Sequence, residues 1–123
     1  PIAAFHDRGQ GLMPMQSVLF LAQRASALVL APLVLVHLGL AIYAIHGGLS
    51  AAEILDRTQG NIFWMLFYGL FVVAAAVHAP IGLRNIMREW MGWNNLWLDG
   101  IFISQGLAIL LLGMRAVIAV TGT

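Results

Sequence analysis

Ile62-Phe63-Trp64-Met65-Leu66-Phe67-Tyr68-Gly69-Leu70-Phe71-Val72-Val73-Ala74-Ala75-Ala76-Val77-His78-Ala79-Pro80-Ile81-Gly82-Leu83 is one apolar stretch in which His78 is the sole basic or acidic side chain. A helix rises about 1.5 Å per residue, and about 20 largely apolar residues cross the hydrocarbon of a bilayer. The stretch is therefore long enough to span. Working outward, Val18–Ile45 and Gly100–Val120 are of the same kind. The first of them carries His37 inside its apolar part, Leu28–Ile45, again with no carboxylate. These runs predict an all-α membrane protein: three transmembrane helices in an up-down-up bundle. Val18–Ile45 exceeds the required length, so it is expected to tilt or to begin in the interface.

Composition agrees. Of 123 residues, 61% are hydrophobic and 9% charged, with a mean hydropathy of +0.90. Soluble domains carry about 25% charged residues. Three spans leave no room for a soluble catalytic domain. The absence of cysteine excludes disulfides, thiolate zinc sites and cysteine-ligated iron–sulfur clusters within the chain. A net charge of +1 gives no argument for nucleic acid as a partner. Pro1–Gln16 lacks the continuous apolar segment of a cleavable signal peptide, and Pro1 suggests a trimmed start.

All six cations are arginine. Arg8, Arg24, Arg84 and Arg88 fall at one end of the predicted bundle, Arg57 and Arg115 at the other. The positive-inside rule then places the N-terminus and an Arg84–Trp97 loop on the cytoplasmic or matrix side. Residues 1–16 read as a cytoplasmic arm that contacts a neighbouring subunit, and 17–123 as the membrane domain. Ser17 is placed to cap the first helix, Pro32 to kink it, and Gly47-Gly48 to end it. Ser50-Ala51-Ala52-Glu53 fits a capping box opening a short loop helix, Ala51–Arg57. Gly60 and Asn61 open the second span. Aromatic residues mark both interfaces: Phe63, Trp64, Phe67 and Tyr68 at one, Trp90, Trp93 and Trp97 at the other.

An imidazole at bilayer depth is costly and marks a functional site. With no carboxylate in either run to pair with, a metal is the natural partner, and in lipid that is haem iron. His37 lies about 20 Å along its helix from Arg24, and His78 about 9 Å from Arg84 at the same face. The two levels differ by about 10 Å, too far for two axial ligands of one iron. Each histidine then needs a partner histidine from another chain, as helix bundles provide. The alternatives are a hydrogen bond between helices or a proton relay. Zinc is disfavoured, because no His-x-x-x-His or acidic ligand is near either residue. His6 and His46 read as solvated or interfacial side chains.

Gly82, at i+4 from His78, leaves space for a flat macrocycle or simply permits close helix packing. Arg84 is placed to pair with a propionate. Gln23, Arg24 and Ser26 open the first span at the face that also carries Arg84, Arg88, Glu89 and Trp90. Such a set suits a quinone head group, whose carbonyls need donors and whose reduction needs protons. It suits interfacial anchoring equally.

The opening Gln23-Arg24-Ala25-Ser26-Ala27 resembles the arginine-serine signature of the membrane-anchor subunits of succinate dehydrogenase and fumarate reductase. His78-Ala79-Pro80-Ile81-Gly82-Leu83-Arg84 with Glu89-Trp90 is similar to their second-helix haem motif. The resemblance covers the three-helix layout and about two-thirds of the chain. It implies a cytochrome b that anchors a flavoprotein subunit and an iron–sulfur subunit and passes electrons between the clusters and a membrane quinone. His78 matches the haem ligand, Arg24 the arginine near quinone and propionates, Ser26 the hydroxyl after it, and Arg84 a propionate-side cation. Glu89 replaces a more usual aspartate. Trp90 stands where one branch has a quinone-bonding tyrosine, and an indole donates but cannot release a proton as a phenol does. The serine often found one turn before the arginine is replaced by Phe20.

The resemblance also implies that His37 marks a two-haem member, with each haem b shared with a second membrane-anchor subunit or a symmetry mate. Expected cofactor-binding residues are thus His78, His37, Arg24, Arg84 and Gly82, with His78 and His37 as the iron ligands. Expected quinone-binding residues are Arg24, Ser26, Glu89 and Trp90. The expected location is the inner (cytoplasmic) membrane, multi-pass, in contact with lipid. The chain has no flavin site and no cluster ligands, so it is expected to oxidise no dicarboxylate alone. The rival readings are a cytochrome b subunit of another dehydrogenase or hydrogenase, and a haem-free anchor.

Overall fold

The computed structural model describes residues 14–92 and 96–122, which form α1 (Met15–His46), α2 (Ala51–Thr58), α3 (Ile62–Met91) and α4 (Leu96–Thr121). No strand occurs among the described residues. The three long helices are each apolar enough to cross a membrane, and α2 is the short connector between α1 and α3. The bundle is up-down-up, as the runs predict. α3 packs against both α1 and α4, and α2 packs on α4. Few large side chains are buried inside the chain, and Leu28, Leu35, Leu111 and Leu112 face outward. In lipid that exterior costs nothing, since hydrocarbon is as apolar as leucine.

The helix ends correct the sequence reading in three places. α1 starts at Met15, two residues inside the expected arm, and Ser17 does not cap it: the Pro14 carbonyl accepts from Ser17 N at 2.9 Å and Val18 N at 3.1 Å, with no side-chain cap. α3 does not stop at Leu83 but runs on to Met91, so Arg84, Arg88, Glu89 and Trp90 stand on a helix and not in a loop. Arginine and glutamate are good helix formers, and charge ends an apolar run without ending a helix. At 30 residues α3 is about 45 Å long, well over the hydrocarbon thickness of about 30 Å. Gly92, at φ +66, turns the chain where the helix does end. α4 likewise begins earlier than Gly100, at Leu96, which places Trp97 and Asp99 in its first turn. The remainder of the arm, with His6 and Arg8, and Trp93 lie outside the described residues.

Other ends form as read. Gly48, at φ +63, closes α1 in a Schellman arrangement, with Leu49 N donating to the Ala44 carbonyl at 3.0 Å and Gly48 N to Ile45 at 3.2 Å. The Ser50–Glu53 capping box is complete, with Glu53 N donating to Ser50 Oγ at 3.2 Å and Ser50 N to Glu53 Oε2 at 2.7 Å. The Ser50 backbone N–H and then its hydroxyl hold the Glu53 carboxyl below its ordinary range. Asn61 caps α3 through Phe63 N at 2.9 Å.

α2 also closes the far end of α4. Thr58 Oγ1 donates to the Val120 carbonyl at 2.8 Å and Gly60 N to the Thr121 carbonyl at 2.9 Å. Two carbonyls that a helix end leaves orphaned are thereby satisfied.

α1 runs through Pro32 and α3 through Pro80 without a break. Pro80 has no N–H, so the Ala76 carbonyl one turn earlier loses its helical donor. Gly106 of α4 sits against that carbonyl. A Cβ at Gly106 would lie 3.2 Å from Ala76 O and 3.3 Å from Pro80 Cγ. Seven residues on, Gly113 meets Val72 still more closely. Small residues at this spacing let two membrane helices approach backbone to backbone.

Candidate functional site

His78 faces α1. Its Nδ1 lies 3.5 Å from Ser26 Oγ, and that hydroxyl donates to the Gln23 carbonyl at 2.9 Å. Ser26 is buried, at 7% exposure, and His78 is half-buried. The Gln23 side chain lies over Gly82, where an added Cβ would meet Gln23 Nε2 at 3.0 Å. The Gln23 amide thus lies over Gly82 where α1 meets α3. Gln23 Oε1 is buried and has no hydrogen-bond partner among the described residues.

His37 sits elsewhere. It is exposed, with its ring edge-on to Tyr68 and Phe71 at centroid distances of 6.0 and 5.7 Å. Together with Tyr43, Arg57, Trp64 and Tyr68 it lines a pocket of about 250 Å³ at the α2 end of the bundle. Ser26, the α1 neighbour of His78, precedes His37 by eleven residues, or about 16 Å of helix. The two imidazoles therefore occupy separate levels, and neither has a hydrogen bond to a backbone carbonyl among the described residues.

Arg84 is held by Asp99 of α4, Nε to Oδ1 at 2.8 Å, which ties α3 to α4 where both leave the apolar zone. Asp99 was not legible as its partner, because α4 was read as starting after it. Arg84 also borders a polar cleft of about 440 Å³ with Gln16, Gln23, Asn85, Arg88 and Glu89. Residues 84, 85, 88 and 89 share one face of α3 by the i, i+4 rule. That signal was available once the helix continued past Leu83, and it would have added Asn85. From Arg84 an apolar groove of about 550 Å³ leads along α3 and α4, past Pro80, Val77 and Val73 on one wall and Phe102, Gly106 and Leu110 on the other.

Three of the expected residues are not in the cleft. Ser26 points into the α1–α3 contact. Arg24 is exposed, with its guanidinium 5.3 Å from the Phe20 ring centroid. Trp90 is 85% exposed on the outside of α3. Glu89 alone of the expected quinone set lines the cleft.

The donor chemistry discriminates among metals. No group of three or more His, Cys, Asp or Glu residues converges among the described residues, so these alone supply no complete zinc- or iron-carboxylate ligand set. A single imidazole per level would suit haem iron, with His78 or His37 as the residue holding it from this chain. His78 suits that role, since its Nδ1 is engaged by a hydroxyl and its other nitrogen has no hydrogen bond among the described residues.

Three apolar spans with polar chemistry gathered at one end define a multi-pass membrane subunit. The family model described as succinate dehydrogenase/fumarate reductase transmembrane subunit matches residues 3–120, and the chain belongs to that family. It is accordingly a membrane-anchor subunit that associates with other subunits of such a complex. No curated protein and no solved structure matches it.

Proposed function

We propose that this subunit binds haem b and passes electrons between the clusters of an iron–sulfur subunit and a membrane quinone, with a flavoprotein subunit supplying the dicarboxylate chemistry. His78 is the ligand nearer the partner subunits and His37 the ligand of a second, more distant haem. Each iron is completed by a second anchor chain or a symmetry mate. Haem iron, when bound, supplies a one-electron carrier. Arg24 is exposed and has no carboxylate partner among the described residues, which leaves its charge for a propionate at a shared interface. The arginine-rich end, with Arg24, Arg84 and Arg88, is the cytoplasmic side of the inner membrane.

The polar cleft is the quinone site. A quinone presents two acceptors and its reduced form two O–H donors, so the site must offer both kinds of partner. Arg84, Arg88, Asn85 and Gln16 offer donors, while Glu89 and Gln23 offer acceptors. The observation that carries this reading is Gln23 Oε1: a buried acceptor lacking a donor is costly, and this one belongs to a residue of the cleft wall. The adjoining apolar groove suits the isoprenoid tail. Glu89 is placed to exchange protons with the head group.

The test is Gln23→Leu in the intact complex, assayed with a quinone and separately with an artificial acceptor that draws electrons directly from the partner subunits. The expected outcome is a raised quinone KM with unchanged artificial-acceptor turnover. An unchanged quinone KM in both Gln23→Leu and Glu89→Gln rejects the cleft as the site.

A further inference from the structure

We infer that Ser26 is a positioning residue for His78, fixing which ring nitrogen is free to bind a metal; the inference rests on the reading of His78 as a haem ligand. A serine hydroxyl has one hydrogen and two lone pairs. The hydrogen of Ser26 is committed to the Gln23 carbonyl at 2.9 Å, within its own helix. At the longer contact, 3.5 Å to His78 Nδ1, the serine oxygen is left only as an acceptor. Nδ1 must then carry the ring proton, which makes Nε2 the nitrogen with a free lone pair. The same contact restrains rotation of the ring, because Ser26 is buried on α1 and cannot follow a turning imidazole. Metal-ligating histidines almost always donate their other N–H to such a partner. Here the partner comes from the neighbouring helix, so α1–α3 packing itself sets the tautomer.

This assignment removes Ser26 from the quinone set. Its proton is used, its surface is closed, and it is absent from the walls of the cleft. Arg24 is separated from it in function as well, being exposed on another face of α1.

The test compares Ser26→Thr, which keeps a hydroxyl able to reach the carbonyl one turn back, with Ser26→Val, which copies that shape without the hydroxyl. Ser26→Ala is the third variant. Each is purified as the complete complex, and three properties are read at one pH: haem content under dilution, the electron paramagnetic resonance g-values of the ferric haem, and its midpoint potential. Loss of the group that hydrogen-bonds the other nitrogen of a ligating histidine weakens metal binding about 10- to 100-fold. The expected result is that Val and Ala lose haem by that factor and shift the g-values and potential, while Thr behaves as the parent. Identical g-values, potential and haem retention in Thr and Val overturn the inference. His78→Ala separates this from the reading beneath it. If His78→Ala keeps the nearer haem, the ligand assignment itself fails. If it loses that haem while Thr and Val agree, only the role of Ser26 falls.

Discussion

Gly113→Ala is the substitution whose cost the structure fixes most sharply. A Cβ built there lies 2.5 and 2.9 Å from the two methyl groups of Val72 and 3.3 Å from its Cβ. Carbon atoms in contact sit at about 3.5–4.0 Å, so α3 and α4 must part locally by about 1 Å. Val72 cannot turn aside, because a β-branched residue in a helix has one strongly preferred rotamer. Overpacking of this kind costs about 1–3 kcal/mol. Replacing glycine by alanine in a helix returns about 1 kcal/mol, which leaves a net loss of up to about 2 kcal/mol. Gly106→Ala meets its neighbours at 3.2 and 3.3 Å and should cost less. Gly39→Ala and Gly69→Ala meet nothing within 4 Å and should be neutral or stabilising. Unfolding of the detergent-solubilised subunit against mole fraction of a denaturing detergent gives the order directly. Val72→Ala placed on Gly113→Ala should restore most of the loss. If Gly113→Ala matches Gly39→Ala, or if Val72→Ala gives no rescue, the close α3–α4 contact is not what holds the helices together.

Haem stoichiometry tests the two levels of imidazole: a pyridine haemochrome assay should find two haems per pair of anchor subunits, and His37→Ala and His78→Ala should each remove one. One haem per pair reduces His37 to a packing residue beside Tyr68 and Phe71. Asp99→Asn should weaken the seat of α4 on α3 by about 1 kcal/mol or less, since Asp99 is partly exposed and its pair with Arg84 is screened. A larger loss in the same detergent titration would mean that the pair is better shielded than its exposure indicates. The capping box adds a pH dependence. Glu53 has a depressed carboxyl pKa in the folded chain, so its contribution is present above the ordinary carboxylate range and disappears as pH falls through the folded value. Amide protection in the first turn of α2, taken relative to the intrinsic exchange rate at each pH, should therefore fall on acidification, and Glu53→Gln should abolish that dependence.

The three spans and their order were legible because apolar run length sets the requirement for crossing a bilayer, and nothing in the fold competes with it. The capping box and the Gly47-Gly48 stop were legible because their chemistry is local. The end of α3 was not, since reading a span from hydropathy stops at Arg84 whereas the backbone hydrogen bonds continue to Met91. That misplacement hid the shared face of Asn85 and Glu89, and reading α4 from Gly100 hid the Arg84–Asp99 pair. Ser17 failed as a cap because Pro14 already supplies the carbonyl that starts α1. The site was half legible. His78 and His37 stood out as polar groups in apolar runs, and their separate levels followed from helix rise. The hydroxyl beside His78 and the amide over Gly82 depend on how α1 rotates against α3, which a nearly uniform apolar surface does not encode.

The missing hydrogen bond between Ala76 and Pro80 has a mechanical consequence. It leaves α3 one backbone hydrogen bond short in the turn that separates Tyr68 and Phe71 from Arg84, Arg88 and Glu89, and His78 lies within that turn. Glu89 lies nine residues beyond Pro80, a lever arm of about 13 Å. A bend of about 5° at that turn would swing Glu89 by about 1 Å. The charged end of α3 that lines the cleft is thus joined to the apolar span through the one turn of that helix weakened by a proline.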